Sequence, residues 1–178
     1  MKKLFSCLLF VAVIFSLPGC ITDHYLRKQN KERPSAFSTE AFNGEYLNYE
    51  NNDSAYLSLW RMLYTCKTTN PDFTPGSKNS TVNLSYDGKN KLTAVFFDKA
   101  SQKDTLELKV KRKGDYLSIK RSLFLIPIPL LFYIHRENKA LLSLQNGLLN
   151  VNYCHLSRGQ ILIGASADYD AHEQFRKK

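Results

Sequence analysis

The chain has 178 residues, carries 25 Lys+Arg against 16 Asp+Glu for a formal net charge of +9, and is 43% hydrophobic and 12% aromatic. That length accommodates one domain with a real core and leaves no room for a second of similar size. A basic balance suits anionic lipid headgroups, lipopolysaccharide phosphates or nucleic acid, or simply keeps a small domain soluble; no helix-turn-helix, zinc-finger spacing or RNA-binding aromatic signature accompanies the charge, which argues against nucleic acid as the expected partner.

The N-terminus has the layout of a secretory signal. Met1-Lys2-Lys3 is a short positive region, and Leu4 to Leu17 is apolar except for Ser6, Cys7 and Ser16. The run is too short to span a bilayer as a helix, and Pro18-Gly19 ends it, so it reads as a cleaved segment. Leu17-Pro18-Gly19-Cys20 resembles the lipobox of bacterial lipoproteins, in which an aliphatic residue, a small residue and Gly or Ala precede an obligatory cysteine. The resemblance implies cleavage after Gly19, lipidation of the Cys20 thiol with palmitate-like chains and acylation of the new amino group. One acyl chain binds membranes marginally, whereas two or more anchor stably. Ile21, where inner-membrane lipoproteins of the familiar enterobacterial type carry Asp, implies the outer membrane, and Thr22-Asp23-His24 lacks the acidic cluster of surface export, so the periplasmic face is expected. Removing residues 1–19 takes away Lys2 and Lys3 and no acid, so the mature chain keeps 159 residues and its charge falls from +9 to +7.

Residues 20–41 are polar and charged, with Arg27, Lys28, Lys31, Glu32 and Arg33 before Pro34-Ser35, and read as a lipidated cysteine followed by a flexible tether with an end-to-end distance of about 25 Å. A β-rich globular domain is expected over 42–166. Its first strand is Phe42 to Tyr49, stopped by Asn51-Asn52-Asp53-Ser54. Asp53 or Ser54 would then cap a helix over Ala55 to Thr65, in which Tyr56, Leu59, Trp60 and Leu63 share a face.

After a loop over Thr68 to Ser80 the pattern turns to period two. Val82, Leu84 and Tyr86 form one strand, Asp87-Gly88 turns the chain, and Leu92 to Phe97 returns. Leu106, Leu108 and Val110 alternate with charged residues, Lys113-Gly114-Asp115 turns, and Leu117 and Ile119 point inward again. Pro127 and Pro129 interrupt the apolar run that follows, which reads as a loop or edge over Ser122 to Pro129 with a strand resuming at Leu130 to His135. Glu137-Asn138 is expected to turn into Lys139 to Leu144. Asn146-Gly147 is the strongest hairpin signal, answered by Leu149, Val151 and Tyr153; a last strand covers Ile161 to Ala165, and 167–178 reads as a polar C-terminal tail.

The fold class is therefore mainly β: an antiparallel meander of about eight to nine strands, closed as a barrel or curled as a half-barrel, with one short helix after the first strand. The order of strand, helical cap and hairpins is similar in outline to lipocalin and fatty-acid-binding barrels, although Gly44 is followed by Glu45 and Tyr46 where lipocalins have Gly-x-Trp. In such a barrel Trp60 and Leu63 on the helix, with Phe124, Pro127 and Pro129 on the proline-bearing loop, are candidates for a ligand portal, or else plug the ends. That loop could also dip into a membrane surface. Lys109, Lys111 and Lys120, beside Arg112, Lys113 and Arg121, form either a contact for anionic surfaces or a solvated face that blocks edge pairing.

Cys7 leaves with the signal and Cys20 carries the lipid, which leaves Cys66 and Cys154, 88 residues apart. In an oxidising periplasm they have one possible pairing, which would stabilise by about 3–5 kcal/mol; the alternative is two buried thiols. No catalytic residues, metal ligands or cofactors are assigned. Cys154 and His155 are strand neighbours on opposite faces, the geometry of His135 and Glu137 depends on the intervening turn, and Asp168, Asp170, His172 and Glu173 lack a metal-binding spacing. The expectation is a non-catalytic, membrane-anchored envelope module that binds an apolar small molecule or an envelope protein, with a structural or assembly accessory of filled core as the alternative.

Overall fold

The computed structural model describes residues 23–30, 32–49, 58–68, 76–99, 101–125, 132–161 and 163–178. In chain order the elements are α1 (Asp23–Lys28), α2 (Thr39–Phe42), β1 (Gly44–Leu47), α3 (Leu59–Thr65), β2 (Thr81–Tyr86), β3 (Lys91–Asp98), β4 (Ser101–Lys113), β5 (Tyr116–Leu125), β6 (Phe132–Gln145), β7 (Leu148–Ile161) and β8 (Ile163–Arg176). The eight strands pair antiparallel in sequence order, a pure meander curled into a half-barrel.

Turn chemistry sets the hairpins where the sequence points to them. Asp87 Oδ1 accepts from the amides of Lys89, Asn90 and Lys91 to close the β2–β3 loop. Gly114, at φ 66°, turns β4 into β5. Asn146 and Gly147, at φ 51° and 79°, make the doubly positive two-residue turn whose twist matches a β-hairpin.

The two ends of the sheet differ. At one end Tyr46 forms an isolated bridge with Lys177 and the Lys178 amide donates to the Glu45 carbonyl at 2.8 Å, so the end of β8 touches β1. Elsewhere it splays: β4 and β5 pair only through Val110–Lys113 and Tyr116–Ile119, while the rest of β4 pairs with β3 and the rest of β5 with β6.

Period-two alternation gives the sheet two faces. The inner one carries the main core, including Val82, Leu84, Leu92, Phe96, Leu108, Leu117, Ile119, Leu142, Val151 and Phe175, and α3 adds Leu59, Trp60, Met62 and Leu63 to it. The outer one carries a smaller cluster of Leu26, Tyr116, Leu141, Cys154 and Leu156.

Four expectations are corrected. The segment after the signal is not a free tether from Asp23 onward: Leu26 is fully buried on the outer face, and Phe37 and Phe42 enter the main core. Ser122 to Leu125 is strand, because both prolines lie past Leu125 and leave its ladder with β6 intact. Glu137-Asn138 is no turn; β6 runs unbroken through it, and both residues are buried. The polar tail is β8, paired with β7 from Ile163 to Arg176; its polarity reflects a strand with solvent beside it, and Ala171 and Phe175 still point into the core.

Candidate functional site

Helix α3 lies against the inner face and is tied down at both ends by buried asparagines. At its start Ser58 is the N-cap, its Oγ accepting from Arg61 N at 3.2 Å; Asp53 and Ser54, the caps the sequence predicts, lie outside the described residues. Asn48 Oδ1 accepts from the Trp60 amide at 2.8 Å, the Asn48 carbonyl accepts from Leu59 N at 3.0 Å, and Asn48 Nδ2 donates to Ser80 Oγ at 3.0 Å. At its end Asn138 Nδ2 donates to the Thr65 carbonyl at 2.6 Å. Between these clamps the Trp60 ring stacks on Phe96 with centroids 5.1 Å apart.

Trp60 and Leu63, expected either at a ligand portal or as an end plug, are core residues at 2% and 0% exposure. A helix of seven residues is too short to persist alone, so its position depends on these contacts. Leu84, Phe96, Leu108, Ile119 and Tyr153, the residues that would line a hollow interior, belong to one contiguous packed cluster with Trp60 and Leu63. Of the other portal candidates, Phe124 pairs with His135 through its backbone while its side chain lies outside the described residues, as do Pro127 and Pro129 altogether.

Asn138 is also the centre of a polar node. Because its amide nitrogen is committed to Thr65, its Oδ1 faces His155, and that requires the proton on His155 Nδ1. The Tyr153 hydroxyl lies 3.0 Å from Thr65 Oγ1 and 3.5 Å from Asn138 Oδ1. Burial, aided by the nearby positive charge of Arg136, holds the imidazole below its ordinary 6.5. Burial also raises the Tyr153 hydroxyl and pushes the Cys66 thiol up to about 12. Thr65, Tyr153, Asn138 and His155 bind one another, and burial disfavours the ionised forms of the Tyr153 hydroxyl and the Cys66 thiol.

The outer face repeats the device. Asn152 Nδ2 donates to the Leu26 carbonyl at 3.0 Å and to Asn30 Oδ1 at 2.8 Å, and Asn152 Oδ1 faces His172 Nδ1. Asp23 sits 2.7 Å from Lys139 Nζ, pairs with Lys113, and accepts from Ser118 Oγ at 3.4 Å. Burial alone would raise this carboxyl, but the hydrogen bonds and charges of Lys113 and Lys139 outweigh it and bring Asp23 to about 2. Tyr25 donates to Asp170, and the Arg27 guanidinium stands 4.7 Å from the Tyr116 ring centroid.

The basic residues are placed as their alternation requires. Lys109 and Lys111 are exposed on the outer face of β4; Lys120, on the same face of β5, lies 3.2 Å from the buried Glu137. His135 and Glu137 share that face with no turn between them, 3.7 Å apart. Asp168, Asp170 and His172 alternate along β8 toward the outer face and Glu173 toward the inner one, and among the described residues no cluster of three His, Cys, Asp or Glu could hold a metal.

The pairing of Cys66 with Cys154 is corrected. Cys66 ends α3 within the inner core, whereas Cys154 points to the outer face among Leu26, Tyr116, Leu141 and Leu156. The sheet stands between them, and both are free thiols. The asparagine clamps are what sequence reasoning missed: Asn48 and Asn138 carry no motif, and the only local sign is a polar residue inside an otherwise strand-like run. Comparison with known protein families, with curated protein sequences and with solved structures finds no match to this chain.

Proposed function

We propose that this chain is a cell-envelope lipoprotein, lipidated at Cys20 and held at the outer membrane facing the periplasm, whose half-barrel is a non-catalytic accessory module acting on an envelope protein through its surface. The observation that carries this reading is the fixed plug: α3 is clamped by Asn48 and Asn138, and its Trp60 stacks on Phe96 inside a contiguous core. A carrier of apolar ligands needs an interior with few filling side chains and a way in. Here the interior is occupied by the chain's own aromatic and aliphatic groups, which moves recognition to the outside. The splayed strands supply it, since among the described residues β4 before Val110 and β5 after Ile119 each keep a ladder on one side only, and unpaired ladders are templates for an added strand.

Native mass spectrometry of the full chain extracted from membranes in mild detergent tests the proposal. The expected result is a mass increment for acylated Cys20, no further lipid retained in stoichiometric amount, and one protein partner recovered at constant ratio. A noncovalent lipid held one per chain would overturn the filled-module reading in favour of an apolar carrier.

A further inference from the structure

The chain is locked to the outer face of the sheet almost immediately after the proposed anchor. Asp23 is held by Lys113, Lys139 and Ser118, Leu26 is buried, and Asn152 grips both the Leu26 carbonyl and Asn30. Cys20 and Asp23 are three residues apart in sequence. Three Cα–Cα steps span at most about 11 Å. Acyl chains on Cys20 would begin at the boundary of headgroups and hydrocarbon, so the outer face of β4–β6 is held within about a headgroup layer of the membrane, comparable to the Debye length in physiological salt.

The charges on that face fit an anionic surface. On β4–β6 its acids are engaged, Asp23 by Lys113 and Lys139, Glu137 by Lys120, and Glu107 by Lys91 at 2.6 Å, while Asp168 and Asp170 lie farther along the outer face on β8, where Asp170 accepts from Tyr25. Lys109 and Lys111 are exposed on β4, and Lys111 is the cross-strand partner of Ser118, the residue Asp23 touches. Arg27 and Lys28 extend the same patch from α1.

We propose that the outer β4–β5 face, with Lys109, Lys111, Arg27 and Lys28 as contact cations, rests on the anionic phospholipid headgroups of the leaflet that holds the Cys20 acyl chains. The domain then lies flush on the bilayer instead of hanging from a spacer. The proposal rests on the lipidation of Cys20 advanced above. Each cation near an anionic surface favours contact by roughly five-fold, so a cluster of this kind suffices to orient a domain already confined to the membrane.

The test uses the full acylated chain reconstituted into phosphatidylcholine vesicles with or without phosphatidylglycerol, labelled with a membrane-impermeant amine reagent and read by peptide mass spectrometry. Lys28, Lys109 and Lys111 should react several-fold more slowly on the anionic vesicles, with protection lost in high salt. Lys99 and Lys103, exposed at the β3–β4 end, should react equally on both. The double variant Lys109→Glu/Lys111→Glu should remain in the membrane fraction yet lose the protection at Lys28. Equal labelling of Lys109 and Lys111 on the two membranes, or protection of Lys99 and Lys103 in their place, overturns the docking. An intact mass without acyl chains would instead sink the lipoprotein reading, so the two failures are told apart in one preparation.

Discussion

Whether the segment after Cys20 is a tether or a clamp is decided by Leu26→Ala. Leu26 is fully buried against Tyr116, Leu141, Cys154 and Leu156. Truncation removes three carbons at about 0.8 kcal/mol each, and a partly collapsed cavity brings the loss to about 3 kcal/mol, within the range seen for buried leucines. Helix α1 has six residues and cannot hold its shape alone, so this cost falls on docking before it falls on the sheet. About 3 kcal/mol is roughly a hundred-fold in the docking equilibrium. The reporters are the amides of Gln29 and Asn30, which donate to the Leu26 and Arg27 carbonyls at 3.2 Å. Hydrogen exchange followed by mass spectrometry should show peptides over 23–30 protected in the parent chain and exchanging roughly a hundred-fold faster in the variant, with β6 and β7 little changed. Random-coil exchange of these amides in the parent chain would refute the clamp and restore the tether.

Acid should release the same segment. Because folding lowers the Asp23 carboxyl from 3.8 to about 2, its contribution is full above pH 3.8 and lost as pH falls through about 2; Asp23→Asn should abolish that dependence in the same exchange experiment. Asn138→Leu strands the Thr65 carbonyl and the His155 Nδ1 proton, and should cost about 2–4 kcal/mol by urea denaturation, whereas a change below about 0.5 kcal/mol would show that the node is solvated. His155 is held below its ordinary 6.5, so stability should decline as pH falls beneath that value, and His155→Gln should flatten the decline. Cys66 and Cys154 should both resist thiol reagents until the chain unfolds, and a reductant should leave the melting temperature unchanged; a reductant-sensitive melt in protein isolated from the envelope would reinstate the bridge.

The strand pattern was readable wherever local chemistry and tertiary need coincide. Leu106, Leu108 and Val110 alternate with charged residues because one face of β4 is core and the other is solvent, and Asn146-Gly147 marks its turn because few other residues accept two positive φ angles in a row. The same logic failed where a polar residue is buried by a distant partner. Asn138 looks like a turn until Thr65 and His155, 73 residues before and 17 after it, come to meet it. Lys139 looks like solvent-facing strand until Asp23 arrives from before the domain.

From its residues alone the chain could declare an antiparallel β meander and the β2–β3, β4–β5 and β6–β7 hairpins, because period-two burial and glycine-bearing turns are properties of a few consecutive residues. The Cys20 lipidation signal was read equally locally, as a proposal for the envelope to test. Only the tertiary structure decided that α3 is a pinned plug, that the polar terminus is the eighth strand, that Cys66 and Cys154 are separated by the sheet, and that Asp23 to Asn30 are strapped to its outer face. Each of these rests on contacts between segments far apart in sequence, and a polar side chain's fate in such contacts depends on the partner that burial brings to it.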